Sequence, residues 1–453
     1  MIERLRRALE KQVDASGVAV FRMAFGVLVV VSVIRFFAYG WIDELYTKPK
    51  FFFTFWGMSH VTPLGGRGMH TVFAAIGLLA LMVAIGAFYR IAIVLLFALF
   101  TYVQLVDVTN YLNHYYLVSL LAFLLCFTPA NAKWSVDAWI SPERARQQLP
   151  AFYTYLLRFQ ITVVYFYAGL AKANVDWLLH AQPLNIWLNA RTNTPIIGSL
   201  FALPHAAYVM SWGGFLFDTT IPFFMLQRWS RPYAYAVIVI FHVFTQVLFP
   251  IGMFPSIMAT SALIFFEPDW PRRLLAYVGI KVDEAKAASQ AAPINRIALS
   301  LVLLYCAIQI GFPLRHRIYG GDVSWHEQGM RFSWKVMTRE KNGSVTYNVT
   351  DPETGRTWEV LPRKYLTDRQ LRDFSTQPDM ILQLGHHVGE EHSRRLGRKV
   401  RVTVDALVSL NGRPAALLID PNVNLLDIRD GMGLARWILP SPRNAPPHFV
   451  PVS

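Results

Sequence analysis

The hydrophobic pattern divides this chain in two. Up to about residue 313, apolar residues come in long runs; beyond it they alternate with polar residues over short stretches. The runs lie at about 18–39, 71–88, 91–107, 115–130, 153–173, 206–227, 233–250, 254–268 and 296–313. A helix needs about 20 apolar residues to cross a bilayer, so the pattern predicts about nine spans, the shorter runs leaving one or two open. Residues 1–16 read as a basic amphipathic helix on the membrane surface. In the tail, Ser344 to Val349 alternates, Asp351-Pro352-Glu353-Thr354-Gly355 is turn chemistry, and Thr357 to Val360 returns as a second strand. A helix is expected over about 368–388. Lys399 to Leu410 and Ala415 to Ile419 alternate on either side of a hairpin turn at Asn411-Gly412. The expected fold class is mainly α: a polytopic transmembrane helical bundle with a C-terminal extramembrane α+β domain. The expected division is a surface segment (1–16), a transmembrane helical domain (17–313) and a soluble domain (314–453). The Ala-rich stretch 281–293 reads as the linker most open to proteolysis.

Composition agrees. Of 453 residues, 54% are hydrophobic and only 16% charged, with mean hydropathy +0.33; soluble domains carry nearer a quarter charged residues. The formal net charge is +14, and in a membrane protein such an excess first concerns orientation. With a cytoplasmic N-terminus, fifteen Lys and Arg fall inside before residue 313, against Lys48, Lys50, Arg67 and Arg191 outside. An odd number of spans then places 314–453 in a periplasm, extracellular space or lumen. The N-terminus is basic but lacks the early apolar core of a cleaved signal. No nucleic-acid-binding signature is present. Cys126 and Cys306 both lie in apolar runs and form no disulfide framework or thiolate site. His386, His387 and His392 lack an acidic partner at ligand spacing and read as surface, so no metal is expected. Hydrolase, metalloprotease and phosphate-loop motifs are missing.

The chemistry gathers inside the membrane. Lys172 ends the run that starts near Tyr153, and a charge in or near hydrocarbon is a functional candidate by default. Desolvation eases loss of its proton, which suits a base. Two structural readings stay open: an ammonium that snorkels to the headgroups, or a helix-end pair with Asp176 four residues on. Asn113 and His114 open their run at the same, outer depth. His242 lies within its run with Gln246 one turn on, which also suits an interhelical hydrogen-bond pair. A scattered set of core residues has no need to agree on depth, and this set does.

Several stretches resemble one family. They are Asn113-His114-Tyr115-Tyr116-Leu117, Lys133-Trp134-Ser135-Val136-Asp137, Val164-Tyr165-Phe166-Tyr167-Ala168-Gly169 through Lys172 to Asp176-Trp177, and Gly213-Gly214-Phe215-Leu216-Phe217-Asp218. Phe241-His242, Leu248-Phe249-Pro250-Ile251-Gly252-Met253-Phe254 and Pro268-Asp269-Trp270-Pro271-Arg272 follow, then Phe332-Ser333-Trp334 and Asp420-Pro421-Asn422-Val423 in the tail. In order over about residues 100–440, the chain resembles the vitamin K-dependent γ-glutamyl carboxylases, as a compact bacterial-type homologue with an HTTM-like membrane domain.

The resemblance implies an integral membrane enzyme using reduced vitamin K (phylloquinol or menaquinol), O2 and CO2. Oxygenation of the hydroquinone to the epoxide generates a strong base, which removes a γ-hydrogen from glutamate on an exported peptide, and CO2 adds to the carbanion. It places the base at Lys172, with Asn113 and His114 near the hydroquinone oxygens. His242, Gln246 and Met253 fall in the quinone-binding region. Arg339 and Lys341 stand where the family has a histidine and an arginine, and with Arg436 they are expected to bind the acceptor carboxylate. Ala171-Lys172 replaces the family's adjacent pair of lysines. Two alternatives remain: a quinone epoxidase or monooxygenase with a non-peptide acceptor, and a non-catalytic quinone- or lipid-binding membrane protein. A transporter fits less well, because no repeat symmetry is visible.

Overall fold

A computed structural model describes residues 2–280 and 295–449. The expected linker at 281–293 lies outside the described residues. Each of the nine apolar runs is a helix. After α1 (Ile2–Glu10) and a short strand β1 (Gln12–Asp14) come α2 (Ser16–Ala38), α3 (Gly68–Ile85), α4 (Tyr89–Leu105) and α5 (Asn113–Phe127). Strand β2 (Gln148–Pro150) leads into α6 (Ala151–Lys172), followed by α7 (Ala206–Leu226), α8 (Arg231–Leu248), α9 (Phe254–Ala262) and α10 (Arg296–Gly311). By length and composition, α2, α3, α7, α8 and α10 with its continuation to Tyr319 are long and apolar enough to cross a membrane; α4, α5 and α9 are shorter apolar helices. The surface helix expected over 1–16 stops at Glu10. There the chain extends so that Val13 pairs with Leu149, and backbone pairing with β2 replaces the next helical turn.

Helices α2 to α9 pack in sequence, and α9 returns against α2, closing a ring. Polar groups follow burial rather than length: α6 carries Gln160 and Lys172 among its buried residues and touches α5, α7, α9 and α10. Small residues set the closest approaches. A Cβ on Gly169 of α6 would stand 2.7 Å from the Thr219 nitrogen and 3.0 Å from the Asp218 carbonyl carbon of α7. Backbones that close are how helices associate where no hydrophobic drive operates between them. By contrast α10 lies outside the ring, with Gln309 as its one buried residue.

The tail forms an antiparallel sheet in the order β4-β3-β5-β6. Its strands are β3 (Lys341–Thr350), β4 (Thr357–Val360), β5 (Arg401–Leu410) and β6 (Ala416–Leu417). Alternation sends Val345, Tyr347 and Val349 of β3 and Val402, Val404, Ala406 and Val408 of β5 into the core. The helix expected over 368–388 is two, α11 (Asp368–Phe374) and α12 (Pro378–Leu396). Proline lacks an N–H and disfavours a helical residue before it, so the new helix begins at Pro378. Asn411 and Gly412 both take left-handed conformations, as the turn chemistry predicts.

The two cores interlock. Phe53 and Val108 leave the membrane domain and join the core of the tail, whereas Trp334 joins the core of the helices. Gln383 of α12 clasps Thr54 through paired 3.0 Å hydrogen bonds, and Gln370 donates to Phe51 O and Asp107 Oδ2. Arg413 donates both Nη atoms to the Asp176 carboxylate at 2.6 Å. The C-terminal domain is therefore fixed against the end of the bundle where α6 terminates.

Candidate active site at the C-terminal end of the bundle

Lys172 is the last residue of α6, one turn beyond Ala168, whose carbonyl accepts from its Nζ at 3.1 Å. The helix approach at Gly169 brings α7 alongside, so that Lys172 Nζ donates to Asp218 Oδ2 at 2.6 Å. Both residues are 7% exposed. The ammonium also lies 5.4 Å from the Trp177 ring centroid, and Trp177 is anchored by its Nε1–H to Ser211 O at 2.8 Å. Neither structural reading of Lys172 holds: the side chain turns inward and does not snorkel, and Asp176 is occupied by Arg413. A lone charge here would be costly; a pair of zero net charge is less so.

The pair opens on a cavity of about 380 Å³. Its walls are apolar and aromatic, including Val164, Phe217, Phe241 and Phe254, and the C-terminal domain contributes Val336 and Met337 as one side. Phe217 and Phe241 stack with centroids 3.9 Å apart. His242 is 2% exposed and lines the same cavity. Its Nε2 lies 3.0 Å from the Tyr165 hydroxyl, and its buried Nδ1 has no partner among the described residues. An orphaned imidazole nitrogen and an acid–base pair on apolar walls suit a flat ring carrying oxygens. The residues thus fit a hydroquinone.

The structure does not bring the whole expected set together. His114 is buried beside the Phe254 ring, 6.0 Å between centroids, but does not line the cavity; Phe254 touches His242 on the cavity side at 5.8 Å. The Asn113 Oδ1 accepts from the Tyr111 hydroxyl at 3.0 Å, and that hydroxyl accepts from Phe332 N–H at 2.8 Å. Asn113 thus holds the segment that roofs the site and stays outside the cavity. Gln246 is exposed and absent from the walls, since one helical turn on an outward-tilting face carries it off the pocket. Met253 lines a separate void of about 20 Å³ with residues of α2, α4 and α5.

The expected carboxylate binders are engaged as well. Arg339 Nε and Lys341 Nζ each donate to Glu327 Oε1 at 3.0 Å, and Lys341 also donates to Trp325 O and Thr376 O. Burial would raise the Glu327 carboxyl, but the two cations overcome it and hold it below its ordinary value. Burial also pushes the Lys341 ammonium down to about 8. Arg436 is exposed and lines a different, larger cavity of about 850 Å³.

Sequence reasoning gave no role to Asp218 or Tyr165. The signal for Asp218 was present, an acid inside an apolar run, but its pairing with Lys172 spans two helices 46 residues apart.

Residues 10–270 match the HTTM domain, and residues 294–444 match the lumenal domain of vitamin K-dependent gamma-carboxylase. No solved structure matches the chain.

Proposed function

The chain belongs to the vitamin K-dependent gamma-carboxylase family of HTTM-domain membrane proteins, and from that premise we propose that it is a hydroquinone-oxidising glutamyl carboxylase whose base is Lys172, coupled to Asp218. The observation that carries the proposal is the buried Lys172–Asp218 pair on an otherwise apolar cavity. When bound, reduced vitamin K supplies, with O2, the basicity needed to take a γ-hydrogen from glutamate so that CO2 adds in its place.

The residues do the rest. Passing the proton along the Nζ–Oδ2 contact to Asp218 would free Lys172 Nζ to accept the proton of a phenolic hydroxyl. The Lys172 ammonium would then balance a negative charge in the cavity, and zero net charge is what a low-dielectric site requires. His242 Nδ1, set by the Tyr165 contact, offers the second polar point that orients the ring. The aromatic walls exclude water, which would quench a strong base.

The test is quinone epoxide formation by protein purified in detergent, given chemically reduced vitamin K, air and bicarbonate, with and without a glutamate-rich peptide. Lys172→Ala is expected to lose about 10²–10⁴-fold, the range for a general base, while the peptide gains one CO2 mass with wild type. Wild-type rates from Lys172→Ala overturn the assignment, as does absence of epoxide from folded, quinone-loaded wild type. The engagement of Arg339 and Lys341 with Glu327 favours a second reading, quinone oxidation with a non-peptide acceptor. Epoxide without any peptide mass gain selects it.

A further inference from the structure

Within the ring of helices, on the other side of α9 from the cavity at Lys172, lies the void of about 20 Å³. Its walls come from α2, α4, α5 and α9, and Phe25, Val29, Phe100, Val118 and Ile257 among them are buried. Helix α9 and the residues leading into it serve both spaces. Ile251, Phe254 and Met258 line the larger cavity, and Met253 and Ile257 line the void. The partition is one helix thick. Met253 and Met258 stand on its two sides, and unbranched thioether side chains adjust readily to a small molecule in transit. The Phe254 ring, next along the chain from Met253, lies 5.8 Å from the His242 ring.

Size and chemistry fix what the void accepts. A space of about 10–15 Å³ holds one water, so this one holds a single very small molecule. Water gains little there, because the lining is almost wholly apolar. Its walls include the hydroxyls of Ser32, Tyr115, Thr260 and Ser261, and none of these is a buried group short of a partner. A buried water needs about two to four polar partners, and apolar voids stay dry and take up apolar atoms such as xenon. Among the described residues no charged side chain lines the void, so an anion such as bicarbonate finds no counterion.

We infer that this void binds molecular oxygen and holds it one helix away from the site of hydroquinone oxidation. The inference rests on the hydroquinone-oxidising reading, in which O2 must reach a cavity that excludes water. O2 is short and apolar, and walls on all sides give it the dispersion contacts that water does not. CO2 is longer, and its polar bonds gain from donors that these walls do not offer.

The experiment uses O2 itself as the probe and needs no turnover. Detergent-purified protein carrying 13C-methyl methionine is observed by NMR under O2 and under N2 at equal pressure, with Met253 assigned through Met253→Leu. O2 is paramagnetic and broadens the methyl signals it visits. Val29→Leu and Val118→Leu each place one more methylene in the void, and melting temperatures show that they fold. The O2-induced broadening of Met253 is expected to fall at least about threefold in either variant, the scale of one methylene's burial. The O2 concentration that half-saturates epoxide formation is expected to rise by a similar factor, with affinity for reduced vitamin K unchanged. Equal Met253 broadening in wild type and both folded variants overturns the inference, as does an O2 half-saturation that neither variant moves. So does a Met253 shift under CO2, with no broadening under O2, that the variants remove; the void then takes CO2. Failure of the Lys172 reading shows separately, as epoxide formation that ignores Lys172, and leaves the O2-binding result standing.

Discussion

Lys172 and Asp218 are individually costly and jointly tolerable. Removing one partner strands a charge in a desolvated site, which typically costs about 3–5 kcal/mol, whereas removing both can be nearly neutral. Lys172→Met alone is therefore expected to lower stability by about that amount, and Lys172→Met with Asp218→Asn to recover most of it. Thermal unfolding in detergent checks this; equal destabilisation by single and double variants would deny the coupling. The same pair of variants separates stability from chemistry, because the double variant is expected to stay inactive in epoxide formation while regaining its fold.

At the scale of elements, the site exists because α6 and α7 touch backbone to backbone. Gly169→Ala inserts a methyl where the Thr219 nitrogen stands at 2.7 Å. Overpacking of this kind costs about 1–3 kcal/mol, and the helices must part, drawing Asp218 away from Lys172. Epoxide formation is expected to fall at least tenfold in Gly169→Ala; Gly311→Ala, where a Cβ meets nothing within 4 Å and which lies outside the cavity, serves as control. Docking of the C-terminal domain depends on another pair. Burial acts to raise the Asp176 carboxyl, but the hydrogen bonds from Arg413 and Asn411 and the Arg413 charge together hold it below its ordinary 3.8. A depressed acid contributes stability that is full above its undocked value and is lost as pH falls through its docked value. Hydrogen-exchange protection at the junction is therefore expected to be flat from neutral pH to about 5 and to drop below about 4. Arg413→Ala is expected to remove most of that acid sensitivity together with the protection; unchanged protection would show that the pair does not hold the junction.

For the whole molecule, the two domains form one unit across the bundle end. Phe53 and Val108 are core residues of the tail, and Trp334 is a core residue of the helices. The apolar cavity is walled by both domains, with helices of the bundle on one side and Val336 and Met337 of the tail on the other. The positive-charge asymmetry predicts that this domain faces outward. With Cys126 and Cys306 replaced, a membrane-impermeant thiol reagent is expected to label Glu353→Cys in intact cells and Arg144→Cys only after permeabilisation. Both native residues are exposed, one in the tail and one between α5 and α6. The reverse pattern would invert the topology.

The sequence by itself determined the class of the protein. Runs of apolar residues dictate membrane helices, and alternation dictates the sheet of the tail, because both are local periodicities. It also marked Lys172 and His242, since a polar group inside an apolar run is visible one residue at a time. Asn113, Gln246, Met253, Arg339 and Lys341 were marked by position along the chain, and position does not say which way a side chain turns. The tertiary structure alone decided that Asp218 partners Lys172, that Asp176 belongs to Arg413, and that Glu327 occupies the two tail cations. Each of these is an electrostatic pairing between distant elements. Its partner is chosen by helix packing and domain docking, which no local pattern encodes.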